Sequence, residues 1–224
     1  MEILGDCANV ADCGEILNQR IARGLGHRRL GEPAVVSFVN LNLETTANPF
    51  AVIKLHFNHL ARRGVSLDAF LERFPSGLYV LLYREDLLQQ YCSWKLASNT
   101  RQFYAKIRDA GQRVHIDLGE WEHFREETLR TYDEACIALC RLVDTGSSRV
   151  VVVSYEQLVA NDLTKLKSVM KEYGAECNFD DRRPGKLVKQ ERRPIQDIIH
   201  DFPDTAPLLG ETRVKLTNCL ERSA

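Results

Sequence analysis

Two apolar runs of this chain are strand-sized and apolar at every position. Leu78 to Tyr83 in "GLYVLLYR" (77–84) and Val150 to Val153 in "RVVVVSYEQL" (149–158) show no polar alternation, so each predicts a strand buried on both faces. "AVIKLHF" (51–57) reads as a third such strand, with Lys54 set inside it. Helical patterns fill the intervals. "SLDAFLERF" (66–74) has Ser66 as its N-cap, and 86–109 carries Leu87, Leu88, Tyr91, Trp94 and Phe103 near the 3.6 period. The segment 120–146 ends at Gly146, and 162–174 is stopped by Gly174. "RVHIDL" (113–118) is either a short strand or an extended connector. Doubly buried strands alternating with helices predict a doubly wound α/β domain with a mostly parallel central sheet.

A chain of 224 residues suffices for one medium domain or two small ones, and no internal repeat or low-complexity linker divides it. A single domain over 1–224 is therefore expected, with 24–50 and 175–210 as looser stretches lining a site. The apolar runs are far too short to span a membrane. "MEILGDCANV" has no basic n-region and no long apolar h-region, so no signal peptide is expected. The seven cysteines form no C-x-x-C pair, and Cys136 and Cys140 share a helix face as small hydrophobes. A reducing, cytoplasmic setting is the expectation.

Formal net charge is −1, so no global field steers the chain to nucleic acid or to an anionic membrane. Any anion site must be local. One candidate is Arg84, at the carboxyl end of a strand and just before a helix N-terminus, with Ser93 about two turns into that helix. Free backbone N–H groups, the helix dipole and a guanidinium fork suit a phosphate. The competing reading pairs Arg84 with Glu85, Asp86 or another neighbour and packs Ser93 against the sheet. "VVVVSYEQLVAND" repeats the design with Ser154, Tyr155 and Glu156 after a strand. Residues 182–193 gather six cations, Arg182, Arg183, Lys186, Lys189, Arg192 and Arg193, against one glutamate.

Taken in order, these elements resemble the PAPS-dependent sulfotransferases, where PAPS is 3′-phosphoadenosine 5′-phosphosulfate. The similarity is greatest to the bacterial carbohydrate branch, the nodulation-type and trehalose sulfotransferases. Five elements carry it: Gly14-Glu15 in "DCGEILN", "VIKLH" at 52–56, Arg84 with Ser93, "SYEQL" at 154–158, and Lys189-Gln190 in "LVKQERRP". The resemblance implies a three-layer P-loop-NTPase-like domain that transfers a sulfuryl group from PAPS to a hydroxyl of a carbohydrate or small-molecule acceptor, without a metal. It implies Glu15 as the base that takes the acceptor proton. Arg84 and Ser93 would hold the nucleotide 3′-phosphate, with Tyr155, Lys189 and Gln190 also on the nucleotide. Lys54 and His56 would face the acceptor.

The pattern departs from the family in one place. A basic residue followed by Ser/Thr-Gly-Ser/Thr, whose N–H groups would cradle the phosphosulfate, is not found, and neither is G-x-x-x-x-G-K-[ST]. "RGLGHRR" (23–29) follows no strand and lies after the Gly-Glu element instead of before it. "MEILGDCANVADCGE" resembles the end of the helix that follows this loop. The expectation is thus a sulfotransferase-like domain lacking its first strand and phosphosulfate loop, the alternative being a non-catalytic or truncated nucleotide-binding relative. Other chemistries fit less well. His56 and His59 are three apart with no H-E-x-x-H glutamate or third ligand beside them, and no G-x-S-x-G elbow is present. The carboxylates of "EWEHFREETLR" read as a solvated helix face, and Trp94 and Trp121 as core or pocket wall.

Overall fold

Apolar side chains that alternate along a strand must find cover on two sides, and here two sets of helices supply it. In the computed structural model, residues 7–17, 30–100, 112–144, 148–160, 162–176 and 193–216 are described. The strands are β1 (Val10–Gly14), β2 (Phe50–Ile53), β3 (Gly77–Tyr83) and β4 (Ser148–Ser154). The longer helices are α1 (Glu32–Glu44), α2 (Phe57–Arg63), α3 (Leu67–Arg73), α4 (Leu87–Thr100), α5 (Leu118–Asp144), α6 (Tyr155–Ala160) and α7 (Thr164–Glu172). Two single-turn helices, α8 (Ile195–Ile198) and α9 (Phe202–Thr205), lie in the C-terminal segment.

The fold is mixed α/β with two separate two-stranded parallel sheets, β1–β2 and β3–β4. β3 and β4 pair without a break from Gly77↔Ser148 to Tyr83↔Ser154. β1 and β2 pair from Val10↔Phe50 to Gly14↔Ile53, with an irregularity between Asp12 and Gly14. There the Gly14 N–H donates to the Asp12 Oδ1 at 2.8 Å, and Gly14 takes φ +64°, a conformation that suits glycine.

Side-chain parity decides what each strand residue meets. Leu78 and Val80 of β3 and Val151 and Val153 of β4 pack with Leu166 and Met170 of α7, and Val10, Phe50 and Val52 join the same cluster. Tyr79 and Leu81, with Val150 and Val152, face the opposite cluster of Val35, Val39, Leu60, Phe70, Leu71 and the α5 residues Ala135, Cys136 and Leu139. The α5 residues Tyr132, Ala135, Cys136, Leu139 and Leu142 are buried at three- and four-residue intervals, as an amphipathic helix requires. A third cluster joins α4 to the C-terminal segment through Tyr91, Leu96, Trp121, Ile198 and Leu209. Trp121 is fully buried and its Nε1 donates to the Leu209 carbonyl at 3.0 Å.

Several expectations need correction. Residues 10–14 are a strand and not the end of a helix, because Val10 is buried beside Val151 and the backbone pairs with β2. The stretch 24–50, expected as loop, contains the thirteen-residue α1, started by Pro33 in its first turn and anchored by buried Val35 and Val39. The third strand stops at Ile53, so Lys54 lies just beyond it and residues from Phe57 onward are helical. α4 is described to Thr100, and the remainder of the expected 86–109 helix lies outside the described residues, as does Gly146. Residues 113–117 form a connector with one bridge, Val114 to Ile199, and Leu118 begins α5. Ser66 caps α3 by accepting from Ala69 N at 3.2 Å, and Gly174 follows α7 with φ +78°. Cys7 is disulfide-bonded. No described helix is long and apolar enough to cross a membrane.

Candidate functional site

Parallel pairing in register brings the carboxyl ends of neighbouring strands level, and the residues just past those ends become neighbours. At the β1–β2 end these are Glu15 and Lys54. The Lys54 N–H continues the pairing by donating to the Gly14 carbonyl at 2.8 Å. The Lys54 Nζ then lies 2.6 Å from the Glu15 Oε1, and the His56 Nε2 lies 3.1 Å from the same oxygen. The Glu15 side chain is only 10% exposed, while those of Lys54 and His56 are 33% and 49% exposed. The predicted base and both predicted acceptor-facing residues therefore form one hydrogen-bonded group.

His59 completes this group, a residue the sequence reading had set aside. His56 precedes the first turn of α2, and its N–H donates to the His59 Nδ1 at 3.4 Å. The two rings meet edge to face with centroids 4.8 Å apart. Burial pushes the His59 imidazole down to about 4, with the neighbouring His56 adding to the effect and Glu15 opposing it. His59 is thus neutral at physiological pH. One ligating atom from each of Glu15, His56 and His59 lies within 4.8 Å of the others. Glu15, forty-one residues upstream of His56, is thus a third donor that stands beside the two histidines in space and not in sequence.

At the β3–β4 end the pair is Arg84 and Tyr155. The Arg84 guanidinium carbon stands 4.0 Å from the centre of the Tyr155 ring. Among the described residues no carboxylate pairs with this guanidinium, so the expected alternative of a neighbouring ion pair is not what forms. The Arg84 N–H donates to the Tyr132 hydroxyl at 3.1 Å, and that hydroxyl donates to the Gln90 Oε1 at 3.4 Å. Burial raises the Tyr132 phenol above its ordinary range, so it stays protonated and able to donate. Ser93 lies one turn after Gln90 on α4 and is half-buried. Lys189 and Gln190 lie outside the described residues, as does the 182–193 basic cluster apart from Arg193, which donates to the Gln112 carbonyl at 2.7 Å.

The helix N-terminus next to Arg84 does not offer the free N–H groups expected from the sequence. The Glu156 carboxylate accepts from Glu85 N at 3.0 Å and from Asp86 N at 3.3 Å. Leu87 N donates to the Thr212 carbonyl at 2.9 Å, and Gln89 N to the Asp86 Oδ1 at 2.8 Å. An internal carboxylate thus fills the place that an anion would take, and an incoming phosphate would meet the side chain of Arg84 instead. The two groups are linked through an aromatic bridge. Phe57, directly after His56, packs edge-on against Tyr132 at 6.4 Å, and Tyr132 holds Arg84. A separate cleft of about 450 Å³ lies against Val152, Gln157, Asp162, Leu166 and Val169, and none of the candidate residues lines it.

Tyr132 and the capping role of Glu156 are not readable from the sequence, where His59 is named only in a pair with no third ligand beside it. Glu156 stood inside the "SYEQL" element, but its partners are about seventy residues away in sequence. Tyr132 carried no signal beyond its place on a helix face. No family model matches the chain, and comparisons with curated proteins and with solved structures found no match either.

Proposed function

We propose that this chain is a sulfotransferase, moving a sulfuryl group from PAPS to a hydroxyl of a carbohydrate or other small acceptor. The observation that carries the reading is the set of side chains collected at the carboxyl ends of the two strand pairs. Glu15, Lys54 and His56 gather at one, and Arg84 stacks on Tyr155 at the other. These are residues that the resemblance assigns to acceptor and nucleotide. Strands covered by helical clusters on alternate residues support a three-layer, P-loop-NTPase-like arrangement.

In this reading the acceptor oxygen attacks sulfur, the bond from sulfur to the nucleotide phosphate oxygen breaks, and 3′,5′-ADP leaves. The hydroxyl proton passes to the Glu15 carboxylate, which Lys54 and His56 hold in place. The Arg84 guanidinium fits a phosphate, because it is oriented by Tyr155 and by its own N–H and meets no carboxylate among the described residues. Ser93 supplies a hydroxyl one turn beyond Gln90. For the phosphosulfate the sequence supplies no basic residue followed by Ser/Thr-Gly-Ser/Thr. That observation favours a second reading, a nucleotide-binding relative that does not catalyse transfer.

One assay separates them: labelled PAPS with a panel of sugar and lipid hydroxyl acceptors, alongside calorimetry with 3′,5′-ADP. Transfer is expected, with Glu15→Gln lowering the rate by about 10²–10⁴ while leaving nucleotide affinity intact. Nucleotide binding that depends on Arg84 without any transfer would establish the second reading. Neither binding nor transfer would remove both.

A further inference from the structure

We infer that Glu15, His56 and His59 form a binding site for a divalent transition metal, zinc by donor type, in which the metal replaces the Lys54 ammonium as the counter-charge of Glu15. Two imidazoles and one carboxylate are the ligands of a site that keeps an open position for water or substrate. Oxygen-seeking magnesium and calcium do not favour such a set, whereas zinc and its first-row neighbours do.

The geometry is close to what coordination needs. Ligand atoms about 2.0–2.2 Å from a tetrahedral zinc lie about 3.3–3.6 Å from one another. The Glu15 Oε1 and His56 Nε2 are 3.1 Å apart, and one donor atom from each of the three residues falls within 4.8 Å of the rest. Small side-chain rotations close the set, because the backbone already places it. Glu15 follows β1 with its side chain largely buried, while His56 and His59 are three apart at the start of α2 and come close to it. Recruiting either nitrogen of His59 releases one bond, the long 3.4 Å contact from the His56 N–H.

Lys54 makes the site a competition. Its ammonium sits 2.6 Å from the Glu15 oxygen, where a metal would otherwise balance the charge. Its side chain is one-third exposed on a flexible stem, so it can turn to solvent when a dication arrives. This reverses the usual expectation for a basic residue beside a carboxylate, since removing Lys54 should tighten metal binding. A metal on Glu15 would also block that carboxylate from taking a proton. This consequence rests on the proposed transfer reaction, but metal binding itself does not.

The test uses the full chain, stripped with chelator, titrated with cobalt(II) chloride by d–d absorption and with zinc chloride by calorimetry. One equivalent is expected to bind. Glu15→Gln, His56→Ala and His59→Ala should each weaken affinity at least tenfold, and Lys54→Met should strengthen it several-fold. His200→Ala, which breaks the stacked His115–His200 pair elsewhere on the surface, should change nothing. His56 is half-exposed, so its variant should keep the wild-type melting curve and carries the test even if His59→Ala does not fold. Absence of binding by the wild-type chain, binding that Glu15→Gln and His56→Ala leave within twofold, or weaker binding in Lys54→Met would each overturn the proposal.

Discussion

Arg84 is held at three points. Its N–H bonds the Tyr132 hydroxyl, its guanidinium lies on the Tyr155 ring, and the following residues are bonded to Glu156. A cation oriented in this way loses little side-chain freedom when it takes an anion, so its contribution to binding should be near the upper range for a charged hydrogen bond. Arg84→Ala is expected to weaken 3′,5′-ADP binding by about 1.5–3 kcal/mol in a chain that still folds. Arg84→Lys should recover only part of the loss, because an ammonium lacks the planar fork. Calorimetry on the two variants checks both statements, and unchanged affinity in Arg84→Ala would remove this residue from the nucleotide site. His59 gives a second expectation, in pH. Its folded value is lowered to about 4 from an ordinary 6.5, so below 6.5 the unfolded chain takes up a proton that the folded chain refuses. The stability tied to its neutral form is complete above about pH 6.5 and is lost as pH falls from there toward 4, by at most about 1.4 kcal/mol per pH unit. Urea unfolding of His59→Gln across that interval should show a shallower loss than wild type. Parallel curves would mean that His59 is protonated in the fold.

At the scale of elements, the β3–α4 junction is controlled by α6. Glu156, in the first turn of α6, caps α4 by accepting from Glu85 N and Asp86 N. Glu156→Ala should therefore have two opposite effects. Two part-buried N–H groups lose their partner, which costs about 1 kcal/mol or more of stability. The same N–H groups become available and a negative charge disappears, so affinity for inorganic phosphate and 3′,5′-ADP should rise. Loss of stability without a gain in anion affinity would show that the phosphate does not approach this junction. This device also explains what was and was not legible in the sequence. β3 and β4 are continuous apolar runs, and α5 repeats its buried residues at helical spacing, so both kinds of element declare themselves locally. β1 is five residues, "VADCG", with an aspartate in its middle, and becomes a strand only through pairing with β2. α1 exposes Leu41 and leaves Val36 and Phe38 part-buried as well as burying Val35 and Val39, which hides its period. The same divide runs through the site. Glu15, Lys54, His56, Arg84 and Tyr155 sit at strand ends that sequence order suggests, whereas Tyr132 and Glu156 act through contacts across 48 and 71 residues, and His59 gains its setting only where Glu15 is brought beside it.

Across the molecule, no strand of one sheet pairs with a strand of the other among the described residues, and a cluster of side chains packs between them. The joining cluster takes Val10 from β1, Val151 and Val153 from β4, and Leu166 and Met170 from α7, with Phe50 and Val52 of β2 against it. The halves also differ internally. β3 and β4 hold seven residue pairs in unbroken register, whereas β1 and β2 hold four with an irregularity. Local stability follows the density of buried contacts and paired backbone, so the β1–β2 half should open at lower free energy than the β3–β4 half. Amide exchange should show this directly, with protection in β3 and β4 approaching the global value and that in β1 and β2 falling below it. Met170→Ala provides the stronger test. Its side chain is buried in the joining cluster, and truncation should cost about 2–5 kcal/mol. If the cluster is what binds β1 and β2 to the rest, their protection should fall by more than that of β3 and β4 in the variant. Glu15 and Gly14 would then open together, loosening the carboxylate while leaving Arg84 on its intact strand, so metal affinity at Glu15, His56 and His59 should weaken and nucleotide affinity should not. Equal loss of protection in all four strands would mean that the halves unfold as one unit, and that side-chain packing couples them as firmly as a shared ladder would.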